Sequence, residues 1–351
     1  MTDEMLETVP GAADPADGVP AAVVEHLHAP GATHIGGQAL LEGVMMRGKL
    51  NWAVAVRKAD GEIYIEEHPL PGGVKTGWKK WPIARGVWAM YETLALSMKA
   101  FGIAAQFAGG EEEEEQLTSK EIAWTMVAGV ALAVVTFIII PAVLTNLVVG
   151  NSLDRPVTWN VVDGILRLVV FFIYIWGVGF VPDIKRVFAY HGAEHKTIHA
   201  YEHGVPLEPE SIQRYGTLHV RCGTAFLLMV MVIAILVFSL VPGKAILGSM
   251  GVSASWAVVL FNIAIRIVLL PVVAGLAYEI TVKWAGNRPD NPFVKVLLWP
   301  GMQMQRMTTR EPDDGMVEVA VAALKAVADA EARAAAGTGD VPAVGPEPIG
   351  A

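Results

Sequence analysis

Four stretches of this chain, residues 122–149, 160–182, 224–242 and 255–281, are almost free of charge and rich in Leu, Ile, Val and Phe. Crossing the roughly 30 Å of hydrocarbon in a bilayer takes about 20 helical residues, so each is long enough to span one. A segment in lipid must satisfy its own backbone hydrogen bonds, which leaves helices as the answer for these four. Lys and Arg outside them number ten in residues 1–121, one in 150–159 (Arg155), five in 183–223, one in 243–254 (Lys244) and seven in 282–351. That alternation predicts four transmembrane helices with both termini in the cytoplasm. Composition agrees, with 53% hydrophobic and 17% charged residues and a mean hydropathy of +0.45.

The fold class that follows is mainly α: a polytopic helical membrane protein, carrying a small β-containing cytoplasmic unit at its N-terminal side. Residues 1–33 combine Ala, Pro, Gly and acid without Lys or Arg, and are expected to be a disordered tail. Residues 34–81 hold the β-containing unit. Trp52–Arg57 and Glu62–Glu66 are strand-like runs joined through Asp60-Gly61, a strong hairpin signal. Residues 82–107 are apolar on all but a narrow stripe marked by Arg85, Glu92, Lys99 and Gln106. If they spanned, the basic 183–223 segment would move outside, so they are read as an interfacial amphipathic helix. An acidic linker follows at 108–121, containing Glu111 to Glu115. Residues 282–335 form a cytoplasmic C-terminal segment, and 336–351 a second disordered tail.

Acid concentrated in a tail and a linker makes the net charge of −9 uninformative about ligands and gives no support for nucleic-acid binding. Cys222 stands alone, so no intrachain disulfide forms. Two arginines remain within spans. Arg167 has Asp163 one turn before it, and Arg266 lies well inside the fourth span with Asn262 one turn away. They are read either as staples of the bundle or as functional charges.

The chemistry concentrates in residues 183–223. His191, His195, His199 and His203 recur every four residues, and His191-Gly192-Ala193-Glu194-His195 is the H-x-x-E-H order of inverted zinc hydrolases. Four residues on a helix drift about 40°, which carries His203 roughly 120° from His191, so the four cannot serve one ion. The useful set is His191, Glu194 and His195. A catalytic zinc takes three protein ligands and an open position. His219-Val220-Arg221-Cys222, running directly into the third span, offers either His219 or Cys222 as the third. Glu194 would then be the catalytic base for a water activated by the metal, and Glu202 a further ligand or a partner behind the ligands. Glu42 and Arg47 sit in a Gly-rich segment that either approaches a ligand or makes a structural turn.

The phrases GGQALLEGVMMRG (Gly36–Gly48), YHGAEHKT (Tyr190–Thr197), RCGTAF (Arg221–Phe226) and TTREPDD (Thr308–Asp314) resemble the signature segments of the YqhQ-like bacterial membrane proteins, domain of unknown function 1385. The resemblance covers roughly residues 34–330. It implies a membrane protein with a metal dependence and no assigned reaction. It marks His191, Glu194, His195, His219 and Cys222, together with Gln38, Glu42, Arg47, Arg310, Asp313 and Asp314, and leaves out His199 and His203.

Two functions stay open. One is a metal-dependent, zinc-like hydrolase cleaving an amide, ester or phosphate bond at the cytoplasmic face of the membrane. The other is a non-enzymatic membrane module, binding a protein partner or lipid headgroups, whose histidine cluster is structural. Membrane lipid is a partner in either case, with a second copy of the chain or another membrane protein as a further one.

Overall fold

The computed structural model describes residues 34–70, 77–107, 119–150, 156–219, 222–241, 243–251, 254–285, 288 and 291–335. Both expected tails and most of the acidic linker lie outside that set. The molecule is mainly helical with one antiparallel sheet, a meander of β1 (Gly36–Leu40), β2 (Gly43–Arg47), β3 (Asn51–Arg57) and β4 (Ile63–Pro69) in that spatial order. β3 and β4 pair from Arg57↔Ile63 to Asn51↔Pro69. Their turn closes at Asp60-Gly61, where Gly61 takes φ +88° and Asp60 Oδ1 accepts from the Glu62 amide at 2.9 Å.

Successive strand residues point to opposite faces, and here both faces are covered, which is why β3 is buried over Asn51–Val56. On one face Val44, Met46, Ala53 and Ala55 pack on helices α5 (Pro182–Glu202) and α11 (Asp314–Ala335). On the other, Leu40, Met45, Trp52, Val54 and Val56 pack on Leu96, Ala100 and Ala104 of α1 (Ala84–Phe107). The β unit is therefore the middle layer of a three-layer body. Helix α1 turns Met90, Tyr91, Leu94, Met98 and Phe101 outward, away from the sheet.

The apolar helices are α2 (Ser119–Val134) and α3 (Ile140–Val149), joined through a π-helical turn at Val135–Ile139; α4 (Pro156–Val178); α7 (Gly223–Ser239); and α9 (Ser255–Tyr278), which runs on as a π-helix over Glu279–Ala285. Short α6 (Pro209–Ile212) and α8 (Gly243–Ser249) and the longer α10 (Pro292–Thr308) complete the set. Among the described residues three helical stretches are long and apolar enough to cross a membrane: Val127–Val149, Val157–Val178 and Ile263–Ala285. The expected third span is shorter than read from sequence. Helix α7 has 17 residues, about 25 Å at 1.5 Å per residue. Outward-facing Leu147, Ile173, Ile267 and Val268 are what lipid-facing surfaces require and an aqueous surface does not.

The bundle and the three-layer body are joined at α1. Gly86 of α1 lies against Gly275 and Tyr278 of α9, where an added Cβ would stand 2.6 Å from the Tyr278 side chain. Arg85 pairs with Glu279, its Nε donating at 2.6 Å. Inside the bundle Arg167 pairs with Asp163 at 2.8 Å, as the sequence spacing predicts. Arg266 reaches across to Asn160 Oδ1 of α4 at 2.9 Å and lies over the Phe238 ring. The Asn262 side chain, its expected neighbour, lies outside the described set.

Candidate metal centre

Helix α5 begins exposed after Val181-Pro182 and becomes buried from Ala189 onward. The reason is its run of small residues. Ala189, Ala193 and Ala200 carry little bulk toward the sheet and α11, and at Gly192 an added Cβ would fall 2.0 Å from the Arg310 carbonyl oxygen. The same closeness drives His195, Glu194 and Lys196 into the interior, at 1%, 5% and 3% exposure. Lys196 is paired with Glu311 at 2.7 Å and donates to the Gln213 carbonyl at 3.0 Å. Glu194 and His195 are each left with one buried atom, Oε2 and Nε2, that has no hydrogen-bond partner.

One turn of α5 and the start of α7 bring His191, His195 and Cys222 together, with one ligand atom from each lying within 4.8 Å of the others. His191 Nε2 is 3.2 Å from Cys222 Sγ. The far side of each ring is held by a backbone carbonyl: His191 Nδ1 donates to Thr308 O at 2.9 Å, and His195 Nδ1 to Thr217 O at 2.6 Å. A carbonyl only accepts, so both protons sit on Nδ1 and both Nε2 lone pairs face the thiol. Imidazole oriented in this way from behind is how metal-binding histidines are usually prepared. His195 Nε2 is buried and has no hydrogen-bond partner. Burial is the main cause that pushes its pKa down, keeping the ring neutral. Burial, the largest single influence, pushes the Cys222 thiol up, but the His195 ring and hydrogen bonds from Thr224 together make the net shift downward.

Glu194 stands beside the triad. Burial raises its pKa to about 8, against a smaller lowering by the neighbouring His191 and the Gly37 amide, while Cys222 adds to the rise. Its Oε2 is buried without a partner. Gly37 fits against it so closely that an added Cβ would lie 2.8 Å from the carboxylate carbon. The group opens, with His195 and Cys222, on a cavity of about 260 Å³ that Gln38, Arg47 and Gly223 also line.

His219 lines the same cavity, its ring 5.6 Å from that of His195, but its ligand atom falls in a different cluster. It joins His199 and Glu202 in a second group whose ligand atoms also lie within 4.8 Å of one another, with Nε2 3.5 Å from Glu202 Oε2. Of the two third ligands open in the sequence, Cys222 is the one adjoining His191 and His195. The His219 backbone is clamped at both ends by Gln305, which donates to His219 O and accepts from His219 N, each at 2.9 Å. His203 is exposed and donates from Nδ1 to His199 O at the helix end.

The remaining candidates divide. Gln38, bonded to Ser97, and Arg47, paired with Glu92, both line the cavity. Glu42, Arg310, Asp313 and Asp314 do not line it. Glu42 occupies the β1–β2 turn at φ 49° and accepts two bonds from Arg186, at 2.5 and 2.6 Å, and one from Tyr190 at 3.2 Å. Arg310 donates its backbone N–H to Phe188 O. Asp313 caps α11 by accepting from the Met316 amide at 2.8 Å, and Asp314 accepts from Gln213 at 3.1 Å. These four lock the sheet, α5 and α11 together. The sequence reading missed Gln305, the two carbonyls of Thr217 and Thr308, and Gly37. Only Gln305 left a trace, as a polar residue within an otherwise methionine-rich stretch of helix.

The family described as "Protein of unknown function (DUF1385)" matches residues 81–330. The chain is 33% identical over 298 residues to "Uncharacterized protein YqhQ" of Bacillus subtilis (strain 168), an alignment covering 82% of this chain and 89% of that protein. No solved structure matches it.

Proposed function

The chain belongs to the DUF1385 family of proteins of unknown function, and from that footing we propose that it is a multi-pass inner-membrane protein, with both termini cytoplasmic, that acts as a zinc-dependent hydrolase at the cytoplasmic face. The basic-residue alternation supports the topology, and the apolar exteriors of the three long helices support membrane insertion. In this reading α7 completes a fourth span together with Leu240 and the residues after it.

One observation carries the metal reading. Two histidines, each with its proton held on Nδ1 by a carbonyl, aim their Nε2 atoms at a single cysteine, and His195 Nε2 is left buried with no partner. A buried acceptor without a donor costs about 1–3 kcal/mol, a cost an ion would remove. Two imidazoles and a thiolate suit zinc, and His191, His195 and Cys222 would hold it, two of them lining the cavity that a substrate would enter. A divalent cation here supplies Lewis acidity toward a water and a substrate oxygen. The chain supplies the rest. Glu194, lining the same cavity, would take the proton in its ionised form, which burial disfavours and a cation bound beside it would restore, and Gly37 lets the sheet close over that carboxylate.

Metal analysis of the purified wild type and of His195→Ala tests this. About one zinc per chain is expected in the wild type and almost none in the variant. Glu194→Gln should keep its zinc yet fail to restore function in cells lacking the native gene. A wild type that purifies metal-free without chelators removes the reading. Full rescue by zinc-loaded Glu194→Gln leaves a non-enzymatic zinc module instead.

A further inference from the structure

Beyond the triad, the 260 Å³ cavity carries two features that the metal reading does not use. The first is Arg47. It pairs Glu92 through Nη2, yet its Nε is buried and has no hydrogen-bond partner. Register places Arg47 opposite Gly36, at the open end of the β1–β2 pair. An added Cβ at Gly36 would meet nothing within 4 Å, so the space beside the strand is clear. The second is the N-terminus of α7. Its cap position holds Cys222, whose side chain makes no cap hydrogen bond. Gly223 lines the cavity and likewise faces open space. The first amides of a helix lack carbonyl partners and carry about half a positive charge, a ready site for an anion. His195 Nε2 and Glu194 Oε2, on residues 1% and 5% exposed, stand unpartnered in the wall of the same cavity. Glu194 is the one carboxylate among the cavity's lining residues.

We propose that this cavity binds a phosphate group, held by Arg47 and by the N-terminal amides of α7 while one oxygen faces the His191–His195–Cys222 triad. This rests on the metal reading above and names the substrate class of that site. Arg47 and the first amides of α7 are two donor sets on different walls, and a cation held by the triad would take a further oxygen, so a tetrahedral oxyanion has an oxygen for each. A planar carboxylate has only two. Guanidinium is the side chain best suited to phosphate, and the cavity leaves space for an ester substituent. The phosphate belongs either to a lipid headgroup or to a soluble phosphoester. Thr93 of α1 lines the cavity, and the same helix exposes Met90, Leu94 and Met98, an apolar surface beside the cavity that suits the lipid source.

The test is a titration of full-length, zinc-loaded protein in detergent with inorganic phosphate, followed by calorimetry and phosphorus NMR line width, with zinc counted in every sample. Saturable binding is expected. Arg47→Gln should weaken it by about tenfold or more, the loss of one charge-assisted bond, at unchanged zinc content. Glu92→Gln, which frees the guanidinium, should bind phosphate at least as well as wild type and shows that disturbing the ion pair is not itself the cause. Absence of binding to protein holding one zinc overturns the proposal, and so does equal affinity in folded Arg47→Gln. If the wild type holds no zinc, the metal reading fails, and Arg47-dependent phosphate binding to that same protein keeps the anion site alone. Loss of both zinc and phosphate overturns both. Vesicles of phosphatidic acid in phosphatidylcholine then separate the sources: displacement of phosphate assigns a lipid headgroup, and none assigns a soluble phosphoester.

Discussion

Two three-residue groups lie side by side along α5, alike in composition and spacing but not in chemistry. His191, His195 and Cys222 converge with histidine protons fixed on the far side, a lone pair unanswered and a cavity in front. His199, Glu202 and His219 are equally close, but His199 Nε2 donates to Leu218 O at 2.8 Å and Glu202 faces the His219 ring as a hydrogen-bond partner. The second group satisfies itself, whereas the first needs something added. Proximity of ligand types is thus a weak sign of a metal site. Unsatisfied donor atoms beside open space are the stronger one, because burial without a partner is what the fold would otherwise not tolerate.

The sharpest way to break this comparison is to delete one histidine from each group. His195→Ala should lose nearly all bound zinc, while His199→Ala should keep about one per chain. Equal loss in both, measured by elemental analysis, would merge the groups into one site. Next in size is metal removal. A chelator should lower the stability of the wild type by about 3 kcal/mol if zinc had been present at a hundredfold excess over its dissociation constant. Thermal melting should show no such shift in His195→Ala. Gln305→Leu probes what the groups share, since Gln305 clamps the His219 backbone that leads to Cys222. Leaving those two backbone groups unsatisfied should cost about 1–3 kcal/mol each, with zinc affinity falling about tenfold or more because Cys222 loses its anchor. Unaltered affinity in a folded variant would show that Cys222 is positioned by α7 alone.

The smallest effect belongs to a part of the body that should not touch either group. Glu42 is held below the ordinary carboxylate range, chiefly by its hydrogen bonds from Arg186. Its folded pKa is lowered, so its contribution is complete above the ordinary carboxyl value of 4.5 and disappears as pH falls through the lower folded value. With Arg186 half exposed, the pair is worth about 1 kcal/mol or less. Denaturation of Glu42→Gln against wild type should show that gap near pH 7 and none at strongly acid pH, with zinc content unchanged throughout.

Legibility in the sequence followed distance along the chain. The hairpin at Asp60-Gly61 was readable because its turn and both strands lie within twenty residues. The pairing of His191 with His195 was readable because one turn of helix brings them together. Helix drift correctly separated His203 from the triad, but gave no hint that His199 would join a second group, since that depends on where residue 219 comes to rest. The narrow polar stripe of residues 82–107 is visible in the sequence, but not that three of the four residues the helix buries, Leu96, Ala100 and Ala104, pack on a sheet face with Trp52 and Val54. Glu42 and Arg47 lie five residues apart in one glycine-rich phrase, and nothing in the sequence separates their roles. In the fold they part, Glu42 to a buckle with Arg186 and Arg47 to the cavity wall.

What the sequence determined by itself was local: apolar lengths, the sign of the flanking charge, a turn, and the face shared by His191, Glu194 and His195. Each follows from backbone periodicity and from the cost of charge in an apolar medium, neither of which needs a second segment of chain. The tertiary structure alone decided which third ligand meets the two histidines, which ring nitrogen keeps its proton, and which polar atoms are left without partners. Those outcomes hang on carbonyls of Thr217 and Thr308 and on the Gln305 clamp, 22, 117 and 86 residues away from the groups they hold. A carbonyl looks the same in every residue, so no pattern of side chains announces it.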